Sequence, residues 1–396
     1  MMARWLGLHS AVLLLASTHF IIDAYSNILS PLLPLFIPQM GLSLATAGLL
    51  QTIFQMASSV AQLGFGHIAD RWRPRALLVA GPVVAVAILP LVGLASGPVA
   101  LATILVLGGL GAAAFHPPAA ALVHRLSGPR AGFAMAFHIT AGSLGFSLGP
   151  VLFAPFVQRF GVAWMPIVMV PALVALSFVL GRLPSPEAYA EHEQKGGFSA
   201  LRPYTKPLTL LYLIVVLRTL TALSYSTFVP VMLTRRGMTL AGAGAFSAVF
   251  LVSSSVGGFF GGGLADRWGA RRVIVLSMVL SVPFFVVAPL LEGWLFVACL
   301  AVGGFLLQST LPVNVTFGQR IAPISAATVS SLMMGFAWGT GGLLVPLVGM
   351  MADRAGIEGA LQAMAFTPLL GALLALPLPA REPAYMIAHV GGDPTD

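Results

Sequence analysis

The sequence predicts an all-α membrane protein, with twelve transmembrane helices in two pseudo-symmetric six-helix bundles. Three observations carry that expectation: the composition, an internal repeat at a fixed shift, and the uneven spread of basic residues between loops. Of 396 residues, 58% are hydrophobic and only 8% are charged, with a mean hydropathy of +0.95. A soluble domain carries about 25% charged residues. No soluble core buries so much apolar chain, so the solvent is a bilayer. In lipid the backbone polar groups must be satisfied within each element, which selects helices. The strands of a membrane barrel would alternate with period two, and these runs do not.

The repeat centres on Gly66-His67-Ile68-Ala69-Asp70-Arg71-Trp72-Arg73-Pro74-Arg75, which recurs as Gly262-Gly263-Leu264-Ala265-Asp266-Arg267-Trp268-Gly269-Ala270-Arg271. Asp70 and Asp266 lie 196 residues apart, about half the chain. At that shift Pro34 meets Pro230, Gly41 meets Gly237, Leu44 meets Leu240, Gly48 meets Gly244, and Phe54 meets Phe250. Ser58-Ser59-Val60 likewise meets Ser254-Ser255-Val256. The chain is therefore two copies of one unit.

Spans are expected near 9–36, 43–68, 76–95, 98–122, 131–157, 162–182, 205–233, 240–265, 272–290, 293–317, 325–351 and 358–378. The apolar run at the N-terminus continues past Asp23 to Phe36, too long for a cleaved leader, and reads as the first span. The expected organisation is an N-terminal bundle over 1–183, a cytoplasmic linker over 184–204, a C-terminal bundle over 205–380 and a cytoplasmic tail over 381–396. The linker is the longest polar stretch and holds Glu187, Glu191, Glu193, Lys195 and Arg202. Gly257, Gly258, Gly261 and Gly262 give overlapping small-residue spacings on one helix, a packing signature in lipid. The single cysteine, Cys299, excludes a disulfide framework.

Basic residues in short loops set orientation. With the N-terminus cytoplasmic, fifteen of the 20 basic residues fall on the cytoplasmic side and four (Arg159, Arg235, Arg236 and Arg354) on the other. Both termini then face the cytoplasm. The net charge of +8 follows from this arrangement and is no nucleic-acid footprint, because no soluble domain stands behind it.

The remaining basic residue, Arg218, lies well within a span, and of the 12 acidic residues only Asp23 does so. His19 precedes Asp23 by one helical turn. An ion at mid-bilayer costs about 2.5–3.5 kcal/mol on insertion scales, so each needs a partner or a watery cavity. Asp23 and Arg218 stand 195 positions apart, near-equivalents in the two repeats. His116, His138, Gln308 and Asn314 add polar groups at comparable depths. The functional reading is a proton and substrate site: Asp23 as the protonatable carboxylate, tuned by His19, and Arg218 as the attraction for an anion. The competing reading is a structural ion pair between the halves. Tyr25, Tyr225 and Trp338 read as packing or interface residues. An intramembrane enzyme built on His19 and Asp23 lacks a nucleophile elbow, a metal-ligand cluster or a phosphate loop, so the chain reads as no enzyme, with no cofactor and no metal.

The repeated Gly-x-x-Ala-Asp-Arg-Trp-x-x-Arg run resembles the loop signature of the major facilitator superfamily of secondary transporters. That resemblance implies that spans one, four, seven and ten line a central pathway. It also implies that Gly66, Asp70, Arg71 and Arg75, and their mates Gly262, Asp266, Arg267 and Arg271, form latches against helix ends of the opposite half. Gly145-x-x-x-Gly149-Pro150 resembles the superfamily's antiporter signature, echoed by Gly341 and Pro346, and implies a close helix contact controlling access between halves. Thr18-His19-Phe20-Ile21-Ile22-Asp23 and Phe115-His116-Pro117 are similar to runs of the fosmidomycin-resistance group, with Pro118 where that group has glutamate. This narrower resemblance implies a proton-coupled antiporter of the inner membrane that exports a small anionic compound by alternating access. Asp23, His19, His116 and His138 would couple protons, while Arg218, Asp23, His116, Gln308 and Asn314 would bind substrate. Proton-linked uptake of an organic anion is the alternative. The expected partners are protons, a small anion and the lipid bilayer, with the chain a monomer and no nucleic acid involved.

Overall fold

The computed structural model describes residues 8–71, 74–127, 131–183 and 198–379. Among them, 12 helices are long and apolar enough to cross a membrane. Spans one to six are Ser10–Met40, Leu44–Gly66, Arg75–Leu94, Pro98–Ser127, Phe133–Phe160 and Val162–Leu180. Spans seven to twelve are Leu201–Arg235, Leu240–Trp268, Ala270–Leu290, Gly293–Ile321, Thr328–Ala355 and Ile357–Ala375. The linker between the halves is described only from residue 198, where Phe198–Tyr204 forms a short 3-10 turn. Residues 184–197 and the tail over 381–396 lie outside the described residues.

The duplication is visible in how the helices begin and end. Gly41 ends span one with a φ of +62°, and its repeat mate Gly237 follows span seven with a φ of +88°. Both conformations favour glycine, because a Cβ would clash with the backbone. Ser43 then caps span two by accepting from Thr46 N at 3.0 Å, and Thr239 caps span eight by accepting from Gly242 N at 3.1 Å. Each cap satisfies one of the four N–H groups that a helix start leaves without a partner.

Several spans are interrupted along their length. Span one breaks at Asn27 and resumes at Leu29, and span ten passes from one helix to the next through Ser309. Span eleven takes a π-turn over Ser331–Phe336. Spans seven and one are the most enclosed, with 72% and 61% of their most apolar windows buried, against 17% for the peripheral span six.

The halves meet along spans two and eleven and along spans five and eight, where glycine lets backbones touch. A Cβ added at Gly349 would lie 2.3 Å from Leu44 O, and one at Gly244 would lie 2.7 Å from Pro150 O. Thr52 Oγ1 donates to Gly342 O at 2.6 Å, and Ser147 Oγ lies 3.0 Å from Ser255 Oγ.

The apolar core divides unevenly between the two ends of the molecule. At the end carrying Gly41, Gly161, Gly237 and Gly356 (the far end), one cluster runs through both halves and joins Leu32 and Phe54 to Phe228, Phe250 and Val348. At the end carrying the two Asp-Arg runs (the motif end), the second half has a separate core of Leu208, Leu211, Val273, Phe317 and Met333. The halves are thus fused apolar to apolar at the far end only.

Candidate functional site

Two polar clusters sit near mid-span, one in each half. The first is built on the helix Ser10–Ser26 of span one. The i, i+4 spacing places His19 and Asp23 on one face. His19 Nε2 lies 3.2 Å from Asp23 Oδ2, and His116 Nε2, from span four, lies 3.7 Å from Asp23 Oδ1. His138 of span five supplies a backbone oxygen that lies 2.9 Å from His19 Nδ1. The rings of His19 and His138 are 4.3 Å apart between centroids, and those of His19 and His116 are 4.9 Å apart. The two outer members, Asp23 and His116, keep 19% and 20% of their side chains exposed, while His138 is only 2% exposed. Solvent therefore reaches the carboxylate from one side.

This geometry fixes a proton. The His138 carbonyl can only accept, so His19 Nδ1 carries a hydrogen. A bare Nε2 facing a bare carboxylate oxygen at 3.2 Å would set lone pair against lone pair. A proton between them, as imidazolium against carboxylate or as imidazole against carboxylic acid, would relieve that repulsion. His19, Asp23 and His116 each offer one ligand atom, and these atoms lie within 4.8 Å of one another, a spacing at which three such groups could surround a small cation.

The second cluster is built on span seven. Arg218 is 1% exposed. Its Nη1 donates to Gln308 Oε1 of span ten, and its Nη2 donates to Thr219 Oγ1 at 3.3 Å. The guanidinium carbon stands 5.2 Å from the centre of the Trp338 ring, a cation–π distance. Nε of Arg218 has no hydrogen-bond partner, and neither polar atom of the Asn314 side chain has one, although Asn314 is 1% exposed. Among the described residues, no carboxylate pairs with Arg218. A buried charge without a counter-ion is costly, so this cluster is electrostatically incomplete.

Placement of the expected residues is mixed. Asp23, His19, His116 and His138 come together, and so do Arg218 and Gln308. Asp23 and Arg218 do not pair; each finds its partners within its own half. At the motif end, Asp266 Oδ1 accepts from Arg320 Nη2 at 3.2 Å, and Arg271 Nη1 donates to Leu378 O at 3.2 Å. Both contacts stay within the second half, tying span eight to span ten and span nine to the residues after span twelve, where a grip on the opposite half was expected. Arg267 and Arg75 are exposed. The side chains of Asp70 and Arg71 lie outside the described residues. The motif glycines face little crowding: an added Cβ at Gly66 would meet Pro117 at 3.6 Å, and one at Gly262 would meet nothing.

Gly145 and Gly149 also act within one half. An added Cβ would lie 2.0 Å from Phe20 O at Gly145 and 2.7 Å from Ala24 O at Gly149. Span five, with Pro150 inside it, thus presses on the turn of span one that carries His19 and Asp23. The repeat mate Gly341 would meet Val216 O at 3.0 Å, the same contact one repeat later.

Sequence reasoning passed over Gly142 and read Trp338 as a packing or interface residue. An added Cβ at Gly142 would lie 2.3 Å from His19 Nε2, so this glycine makes room for the ring. Trp338 is its mate at the repeat shift and covers Arg218 instead. The repeat register is the signal that links the two: the same position on spans five and eleven lies over the polar residue of spans one and seven.

A duplicated twelve-helix fold with polar clusters enclosed near mid-span is that of a multi-pass membrane transporter for small molecules. The chain belongs to the Major Facilitator Superfamily, whose model matches residues 15–258 and again 211–389. Over 366 residues it is 28% identical to the fosmidomycin resistance protein of Escherichia coli strain K12, a match that spans 90% of this chain and 89% of the relative. An uncharacterised superfamily transporter of Bacillus subtilis strain 168 is 27% identical over 386 residues, 94% of this chain and 93% of that protein. Among solved structures, a bacterial homologue of the human lysosomal transporter Spinster superposes with a TM-score of 0.79 at 17% identity, covering 92% of this chain and 95% of that one. The nucleoside transporter NupG superposes with a TM-score of 0.76 at 13% identity, covering 93% and 99%. The chain thus resembles the fosmidomycin-resistance group in sequence and shares its fold with more distant carriers.

Proposed function

We propose that this transporter is a proton-coupled antiporter of the inner membrane that exports a small anionic compound by alternating access. The observation that carries the proposal is the close approach of His19 Nε2 to Asp23 Oδ2, 3.2 Å, which a shared proton would satisfy. In this reading the described geometry is the loaded state, and releasing the proton would leave Asp23 Oδ2 facing a bare Nε2. His116 stands beside the other carboxylate oxygen as the next acceptor, and His138 holds the His19 ring in register. Arg218, flanked by Gln308, Asn314 and Trp338, is the receptor for the anion. Its planar fork suits carboxylate or phosphonate oxygens, and Asn314 keeps one donor and one acceptor for a second polar group. Asp23 and His116 complete the substrate path from the first half.

The bodies that move are residues 1–183 and 205–380, joined by a cytoplasmic linker over 184–204, with both termini cytoplasmic and 381–396 as a tail. With the motif end placed in the cytoplasm, the fused apolar core shuts the outer mouth and leaves the inner end divided. The Spinster homologue with TM-score 0.79 is itself described as inward-facing and unoccupied. The 28% identity to a protein named for fosmidomycin resistance supports a phosphonate-like cargo and outward flow.

Proton release on binding tests this directly. Detergent-solubilised protein in weak buffer with a pH-indicator dye should release protons when fosmidomycin or another small phosphonate is added. Asp23→Asn should bind without release. Binding with no proton release in the wild-type protein would remove the coupling from the proposal.

A further inference from the structure

At the far end, the starts of spans two and eight still have unsatisfied backbone donors after their own caps are counted. Ser43 and Thr239 each satisfy one N–H of the first turn. The next donors are taken by side chains from the opposite half. Asp353, at the end of span eleven, accepts from Leu44 N at 2.9 Å through Oδ1 and from Ala45 N at 3.0 Å through Oδ2. Gln158, at the end of span five, accepts from Ala241 N at 2.8 Å through Oε1. Ala45 and Ala241 are repeat mates 196 residues apart, and Gln158 and Asp353 stand 195 apart. The two contacts are therefore related by the pseudo-symmetry of the fold, and each bridges the two halves.

We infer that Asp353 and Gln158 are the positioning residues of the outer gate. Each holds the far end shut by capping a helix that belongs to the other half. This rests on the alternating-access reading above. The cap is a bond that can be remade: if the halves part, the amide N–H groups and the side-chain oxygens both pass to water at the solvent-facing helix ends. The two caps are unequal. Asp353 brings a full negative charge to two amides at the positive end of a helix dipole, and Gln158 brings a neutral oxygen to one. The seam between spans two and eleven is therefore the stronger hinge point, and the seam between spans five and eight yields first. Gly349 against Leu44 and Gly244 against Pro150 allow the approach that these caps need.

The experiment measures distance, independently of transport. Spin labels are placed at Gln39 and Glu292, one per half and both exposed at the far end, in a Cys299→Ser background in lipid nanodiscs. Pulsed dipolar spectroscopy then reports the separation. The wild-type protein should give mainly one short distance. Asp353→Ala should raise the ratio of long to short distances by roughly fivefold to tenfold, the size of a lost helix cap. Gln158→Ala should raise it less, and the double variant more than either. Asp353→Asn should fall between wild type and Asp353→Ala, because it keeps one acceptor. Asp266→Asn, at the motif end, should leave the distance unchanged. An unchanged distribution in the double variant, with its thermal unfolding still cooperative, overturns the gate assignment. Failure of the antiport reading would show instead as absent proton coupling with these distance shifts intact.

Discussion

At the scale of single residues, function rests on two incomplete charges and the groups that hold them. His19 is fixed on both sides, by a carbonyl that accepts from Nδ1 and a carboxylate that faces Nε2. Asp23→Asn keeps the shape and removes the titrating group, so a protein that still binds cargo but no longer responds to pH is the expected outcome of ligand titrations at two pH values. Arg218→Ala should weaken cargo binding by about 1.5–3 kcal/mol, the worth of lost charge-assisted hydrogen bonds. Arg218→Lys should restore only part of that, since an ammonium lacks the planar fork and stacks less well on Trp338; isothermal titration with a phosphonate would measure both. Gly142→Ala places a methyl 2.3 Å from the His19 ring nitrogen, so the ring must shift against its two partners. It should leave the fold intact and disturb proton release, which the indicator-dye assay reads. Much of this site was legible in the chain because intramembrane charge is rare and costly: Asp23, His19 and Arg218 stand out by location alone. What was not legible is pairing. An i, i+4 contact follows from helical spacing, but the partner of Arg218 depends on how span ten rotates, and that rotation leaves no mark on the order of residues.

At the scale of helices, glycine placement decides which spans touch. Gly145 and Gly149 seat span five on span one, and Gly257 and Gly261 seat span eight on span ten, where added methyls would lie 2.0 Å from Phe305 O and 1.8 Å from Ser309 O. These contacts meet backbone, which cannot swing aside. Gly145→Ala should therefore cost about 1–3 kcal/mol through overpacking, seen as a lower apparent melting temperature in detergent. Gly262→Ala, with open space around it, should cost far less. The small-residue spacing was readable in the sequence, but its target was not. The Gly145–Gly149 run resembles a signature of a close helix contact controlling access, and the helix it contacts is span one of its own half. Sequence spacing gives the face of a helix that is small; the neighbour that fills it is set by the whole bundle. Helix ends were easier to read. Gly41 and Gly237 match at the repeat shift because both spans end in a positive-φ turn, a local requirement that the chain must state locally.

At the scale of the whole molecule, the duplication organises everything else. Twelve spans, the position of the Asp-Arg runs and the pseudo-equivalence of Asp23 and Arg218 all follow from one unit written twice, which is why the fold was legible from composition and repeat alone. The division of labour between the copies was not. The first half carries the histidine–aspartate cluster and the second the guanidinium, with Ala112 and Pro118 standing where the second half has Gln308 and Asn314. The uneven core, fused at the far end and split at the motif end, is the asymmetry that the proposed rocking of the halves would use. The central claim is that a proton bound at His19 and Asp23 is exchanged for an anion held by Arg218. The most direct measurement is phosphonate flux in proteoliposomes under an imposed pH gradient with the membrane potential clamped. The account predicts cargo movement opposite to the proton flow, scaling with the gradient and lost in Asp23→Asn. Flux that ignores the gradient, or that survives unchanged in Asp23→Asn, would contradict it.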